Sequence, residues 1–470
     1  MSDEDLCYLS IAEAAAMIAD RRLSPVELTQ AVLARIDALN PRVNAYITVT
    51  ADEALGEARD AEAAIMADGY LGPLHGIPLG LKDLFDTQGV RTTAGSKVLA
   101  SRVPSEDATV VGRLKAAGAV FVGKLNMHEF AYGITNENPH YGPARNPWDL
   151  ERITGGSSGG SGAATAAGMC AASLGTDTGG SIRIPACFCG IVGLKPTFGL
   201  VGRRGVIPLS SSLDHVGPMT RTVEDAAIVL QAIAGHDPGD PGALDVPVPD
   251  YGADLRAGVR GMRLGVMADY VTEPMGAGVK RAVTAAIETL EGLGASLRPV
   301  DLPFLPYARL VNGSILSAEA ASYHQASMQS APDDYDPGVL ERLTRGRQLL
   351  ATAYVQAQES RHQIRDQLLG AMAQVDVLAL PMEPVVAPPI GGDRVTLGRR
   401  ATDVRSAVTR FTGLFNLTGF PAISVPCGFS PAGLPMGFQL VAKPFEEATL
   451  LRVAHAYEQA SEWGLRRPSL

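Results

Sequence analysis

Cysteine is scarce in this chain, at five in 470 residues. Cys7, Cys170, Cys187, Cys189 and Cys427 make an odd set with no framework spacing, and Cys187-x-Cys189 has no matching Cys or His pair elsewhere. Neither a disulfide scaffold nor a zinc module is therefore expected, and a reduced, cytoplasmic setting is. Positive charge is also in short supply: Lys and Arg number 40 against 50 Asp and Glu, for a net charge of −10. That balance argues against a sequence-independent nucleic-acid binder, which needs a basic face. Long apolar runs are missing too, since none approaches the ~18–20 residues of a membrane helix. The nearest, Ser161–Leu174, is rich in alanine and glycine and reads as a tightly packed buried helix. The start, Met1-Ser2-Asp3-Glu4-Asp5, is acidic where a secretory leader needs positive charge. The eight histidines form no H-E-x-x-H or other ligand pair, so no metal is expected.

What remains is an ordinary globular composition, 46% apolar and 19% charged, in a chain long enough for a large core. Ser10-Ile11-Ala12-Glu13 and Ser24-Pro25-Val26-Glu27 have capping-box spacing, which predicts two early helices. Leu28, Val32, Ile36 and Leu39 continue the second until Asn40-Pro41, where it is expected to stop. A further helix over 51–68 completes an N-terminal helical segment, residues 1–70. Strand and helix patterns then alternate: helix 107–117, strand 119–122, strand 262–266, helix 279–293 and strand 297–302. This rhythm predicts an α/β fold with a parallel or mixed sheet. Ser430-Pro431-Ala432-Gly433 between two apolar runs reads as a hairpin turn, and a helix over 446–459 follows. Length alone suits roughly two or three domains, but the alternation continues across the Pro/Gly/Asp-rich stretch 236–254. One domain over 1–470 is therefore expected, with a long helical span over 337–373 beside a pocket.

Two glycine-flanked serines carry the chemistry. Thr154–Gly162 reads T-G-G-S-S-G-G-S-G and Thr176–Pro185 reads T-D-T-G-G-S-I-R-I-P. A flexible linker is one reading of the first, but it runs straight into apolar sequence, where glycines permit close backbone approach. A nucleophile elbow is another; it needs a buried strand before Ser157 and a His in a later loop, and neither is evident. A phosphate loop needs a Gly-Lys-Ser/Thr that does not follow. In the second run, consecutive glycines bare backbone N–H groups that can face a developing oxyanion, which makes Ser181 the better nucleophile. Asp177 with Arg183 can be a local ion pair fixing this turn. Upstream, Gly76–Asp86 reads G-I-P-L-G-L-K-D-L-F-D. If this is a buried strand, Lys82 and Asp83 face opposite ways, and desolvation lowers the lysine pKa toward a usable base.

Together, Lys82, G-G-S-S-G-G-S and G-T-D-T-G-G-S-I-R-I-P resemble the amidase signature family. So do Gly123-Lys124-Leu125-Asn126, Asn138–Gly142, Asn146-Pro147-Trp148, Gly190–Gly199, Ser210–Pro218, Gly419–Pro426 and Gly433–Lys443. The resemblance implies one α/β/α amidase-signature domain, with a large mixed sheet covered by helices, a signature core over 71–220 and a helical cap over 303–373. It implies a Ser–cis-Ser–Lys triad: Ser181 as nucleophile, Ser157 as bridge after a cis peptide, and Lys82 as base. By the same resemblance Thr178, Gly179 and Gly180 form the oxyanion hole with the Ser181 N–H, Ala131 lines the substrate site, and Ser158, Asp177 and Arg183 support it. No cofactor is implied.

The implied function is hydrolysis of a C–N amide bond through an acyl-enzyme on Ser181. The expected partner is a small-molecule amide, anilide, carbamate or urea-like substrate, with no nucleic acid bound directly, no membrane, and a possible homodimer. The alternative within the family is the glutaminase (A) subunit of a tRNA-dependent amidotransferase, against which Leu84 stands where that subgroup tends to carry asparagine. A non-catalytic binding protein is the third reading, which the presence of all three triad positions opposes.

Overall fold

The computed structural model describes residues 1–267 and 274–470. Ser10 caps the helix Ile11–Ala19 reciprocally: its hydroxyl accepts the Glu13 N–H at 3.1 Å and the Glu13 carboxylate accepts the Ser10 N–H at 2.9 Å. Ser24 caps the next helix, Pro25–Val43, with Pro25 in its first turn. That helix does not stop at Asn40-Pro41. Pro41 falls in the last turn, where its missing N–H removes only one late bond. Asn44, left-handed at φ 52°, then closes the helix by donating its N–H to the Asn40 carbonyl at 2.8 Å.

An 11-stranded sheet organises the molecule. Its strands lie in the order Tyr46–Val49, Val120–Leu125, Pro78–Lys82, Ala172–Asp177, His215–Thr220, Val192–Lys195, Ala422–Phe429, Pro435–Ala442, Val377–Pro381, Arg263–Met267 and Ser296–Val300. The sheet is mixed. Pro78–Lys82 runs parallel to both neighbours, whereas the His215–Thr220 and Pro435–Ala442 strands run antiparallel to theirs. The first strand arises in the gap left between the helices expected to end at Asn40-Pro41 and to start at 51, and pairs antiparallel at the sheet edge. Central strands are buried along their whole length, as covered α/β sheets require.

The stretch 161–174, expected as one buried helix, divides in two. Helix Gly159–Ala166 ends, Gly168 turns the chain at φ 68°, and Ala172–Asp177 enters the sheet. Small residues serve packing here: a Cβ on Gly160 would meet the Asn126 and Ala45 carbonyl oxygens at 2.4 and 2.5 Å. The helical span expected over 337–373 is two helices, Pro337–Arg347 and Ala351–Ala371. A preceding helix, Leu305–Tyr323, faces the serine-bearing loops. All five cysteines are buried and unbridged. Among the described residues, no helix is long and apolar enough to cross a membrane.

Close strand contact makes one position sensitive. A Cβ on Gly217 would stand 2.0 Å from the Leu194 carbonyl oxygen of the adjacent strand, which backbone alone could relieve. Gly217→Ala should therefore lower stability by about 1–3 kcal/mol, read as a lower urea midpoint at constant slope; an unchanged midpoint contradicts this packing.

Candidate active site

Lys82 terminates the strand Pro78–Lys82 and is fully buried. Its Nζ donates to Ser157 Oγ and to Thr176 Oγ1, each at 2.8 Å. Burial pushes this amine down to about 7, although Asp214 and Asp177 pull the other way. Asp83 does not hold it protonated. Its carboxylate turns to Thr93, accepting the N–H at 3.0 Å and the hydroxyl as well, with Lys124 as its cation. The strand ends at Lys82, so Asp83 lies in the turn after it with partners of its own.

Ser157 follows a cis peptide from Gly156, and its carbonyl accepts the His128 N–H at 3.1 Å. Ser158 ties the two serine loops together. Its hydroxyl donates to the Thr176 carbonyl at 3.2 Å and accepts the Thr176 N–H at 3.3 Å, while its own N–H donates to the Ser181 carbonyl at 3.3 Å. Ser181 thus lies beside Ser157, although the two hydroxyls form no hydrogen bond with each other here. Ser181 lines a cavity of about 160 Å³, together with Ala131, Thr178 and Gly179. Ala131 and Phe130 both adopt positive φ, 57° and 47°, a strained pair of the kind concentrated at ligand sites.

The Asp177–Arg183 pair is more than a turn clip. Arg183 Nε and Nη2 each meet the Asp177 carboxylate at 3.0 Å, and both side chains are wholly buried. Asp177 also accepts the Gly180 and Ile182 N–H groups at 2.6 and 3.1 Å and the Asn416 amide at 2.8 Å. Arg183 reaches Gln439 Oε1 at 3.0 Å and Asn416 Oδ1 at 2.8 Å. Burial opposes ionisation of Asp177, but the guanidinium and these donors outweigh it and hold the carboxyl well below its usual range.

One expected oxyanion donor is already engaged. Because the Gly180 N–H points to Asp177, it is not free to face a substrate oxygen. The Thr178, Gly179 and Ser181 N–H groups make no hydrogen bond among the described residues, and Thr178 is fixed by its hydroxyl, which donates to Asp214 at 2.6 Å. Sequence motifs give no sign of Thr412 and Asn416, and although Thr176 opens the second motif, nothing in it marks a contact with Lys82. Thr176 sits one strand position before Asp177, so its nearness to Lys82 follows only from strand register. Thr412 and Asn416 arrive from some 230 residues away, with Thr412 donating to the Gly179 carbonyl. No local pattern marks them.

A family model described as Amidase matches residues 27–451. The chain is 46% identical to the (A) subunit of the glutamyl-tRNA(Gln) amidotransferase of Roseiflexus sp. (strain RS-1), over 99% of each chain. Among solved structures, one concerned with a vestigial protein complex and the evolutionary origins of an s-triazine catabolic enzyme superposes with TM-score 0.93 at 37% identity, covering 98% of this chain and 100% of that one. The corresponding (A) subunit of the Thermotoga maritima glutamyl-tRNA(Gln) amidotransferase superposes with TM-score 0.83 at 36% identity, covering 100% of both. These relatives overturn the expected partners, a small-molecule amide with no nucleic acid bound directly. The amidotransferase relatives are subunits of enzymes named for an aminoacylated tRNA. Net negative charge argued against a sequence-independent nucleic-acid binder, which says nothing about a multi-subunit enzyme that acts on tRNA.

Two outcomes test the site. Only neutral Lys82 can accept a proton, so reaction of Ser181 with a fluorophosphonate should rise with pH to a plateau above about 7 and fall about tenfold per unit below it. Lys82→Met should remove about 10²-fold or more of that rate; a pH-independent rate would place the base elsewhere. Arg183→Met should cost about 3–5 kcal/mol in urea unfolding, because it strands a buried carboxylate; a cost below about 1 kcal/mol would remove the pair from its structural role.

Proposed function

The chain belongs to the amidase signature family, and from that premise we propose that it is the glutaminase subunit of a tRNA-dependent amidotransferase. It releases ammonia from glutamine for transfer to glutamyl-tRNA(Gln) held by partner subunits. The observation that supports this most is the 2.8 Å contact between a desolvated Lys82 amine and Ser157, beside Ser181 at the cavity wall. Near-complete coverage of the amidotransferase relatives favours glutamine over other amides.

In this reading, Ser181 Oγ attacks the side-chain amide carbon as its proton passes to Ser157 and that of Ser157 passes to Lys82. The new C–O bond leaves a tetrahedral oxyanion facing the Thr178, Gly179 and Ser181 N–H groups. Collapse breaks the C–N bond, and the relay returns its proton to the departing nitrogen as ammonia. Water enters by the same route and cleaves the ester, restoring Ser181 and freeing the acid. The Ser157–Ser181 hydrogen bond closes when substrate fills the cavity, as catalytic contacts commonly tighten on binding.

Reconstitution with partner subunits supplies the test. Wild-type complex should convert Glu-tRNA(Gln) to Gln-tRNA(Gln) with glutamine as nitrogen donor, and Ser181→Ala should lose about 10³-fold or more of that activity. Added ammonium salt should restore transfer to the variant, because only ammonia release is impaired. Glutamine hydrolysis by the isolated chain with no transfer in any complex would overturn the reading.

A further inference from the structure

The cavity at Ser181 has a second character besides the serine. Arg309 and Arg405 also line it, with the hydroxyls of Ser406 and Thr409, and no Asp or Glu does. Arg309 Nη1 donates to Ser406 Oγ at 3.0 Å. The Arg405 guanidinium lies 5.5 Å from the centre of the Tyr132 ring and makes no side-chain hydrogen bond among the described residues. Arg342 lies 5.2 Å from the same ring, and its Nε is buried with no partner. None of these three guanidiniums forms an ion pair among the described residues. Asp403 acts on Arg405, and Asp336 and Glu341 on Arg342, only through longer-range attraction. Burial lowers Arg405 and takes Arg342 down to about 10, the direction expected where guanidiniums are dried without counter-charge.

Arg405 is half-buried and Arg309 exposed, and a half-buried cation left unpaired beside a nucleophile is stabilised when an anion enters. We propose that Arg405 and Arg309 form the subsite for a carboxylate carried by the amide substrate, and that this subsite accepts an anion lacking a neighbouring ammonium at least as well as a zwitterion. The inference rests on Ser181 as the nucleophile of this cavity and names what the far end of the substrate must be. The cavity that holds both the serine and these arginines measures about 160 Å³, so amide and carboxylate belong to one small molecule. Glutamine meets the charge requirement through its α-carboxylate. Its α-ammonium finds no acid in the lining, so the monoamide of a five-carbon dicarboxylic acid, glutaramate, satisfies the chamber without leaving a cation unanswered.

Three substrates of similar length separate these contributions: glutaramate, glutamine and neutral pentanamide. In wild type, kcat/KM for glutaramate should equal or exceed that for glutamine and exceed that for pentanamide by about tenfold or more, the scale of one charge-assisted contact. Arg405→Met should lower the glutaramate-to-pentanamide ratio by about tenfold, mainly through KM, and Arg405→Lys should recover part of it. Calorimetric titration of glutaramate into Ser181→Ala reads the same subsite without turnover, and the added Arg405→Met change should weaken that binding by a similar factor. Should Arg405→Met fail to fold, competition of glutarate against fluorophosphonate labelling of wild type decides. Protection by glutarate but not by pentanamide at equal concentration supports the subsite, and equal protection overturns it. An unchanged ratio in folded Arg405→Met, or glutamine preferred tenfold over glutaramate, also overturns it. If glutaramate binding depends on Arg405 while no complex transfers ammonia to tRNA, the subsite stands and the amidotransferase reading falls.

Discussion

Keeping one amine dry governs this molecule. Lys82 ends a strand that is parallel to both neighbours and covered on both faces, so no water competes for its nitrogen. Among the described residues it donates to two hydroxyls, Ser157 and Thr176, which tolerate a neutral amine where a carboxylate would enforce the ammonium form. Asp83, in the turn just past the strand, has separate partners. A lysine with a contacting acid would remain charged at neutral pH and could accept nothing.

The other buried charges are handled in the opposite way. Arg183 and Asp177 are ionised, bidentate and surrounded by Asn416, Gln439 and backbone N–H donors. Such a network fixes geometry more than it adds net stability, since two desolvated ions must first be compensated. Here it holds the turn from Asp177 to Ser181, at the cost of the Gly180 N–H. The site therefore combines a desolvated amine whose pKa falls to about 7 with a buried ion pair. Arg405, half-buried, and Arg309, exposed, form a third class: cations lining the cavity with no ion pair among the described residues.

Relatives at high identity changed the biological setting more than the chemistry. A Lys–Ser–Ser arrangement is indifferent to whether released ammonia diffuses away or is handed on. Which of these happens depends on surfaces and partners outside the cavity. A net charge of −10 on this chain does not conflict with its likeness to subunits of enzymes named for a tRNA.

Local sequence determined a good deal. Capping residues marked the early helices, and alternating patterns marked the α/β class. Glycines beside Ser157 and Ser181, with the apolar run before Lys82, marked the groups that the fold gathers at the candidate site, because each signal acts within a few residues. Tertiary structure decided the rest. Helix Pro25–Val43 passes Pro41 because a proline in a last turn removes one hydrogen bond only. Residues 161–174 split because Gly168 lets the chain reverse into the sheet. Thr412, Asn416, Arg309 and Arg405 come to the site from the second half of the chain. Their placement depends on how that half folds back over the first, and a side chain's distant neighbours leave no imprint on the residues adjoining it in sequence.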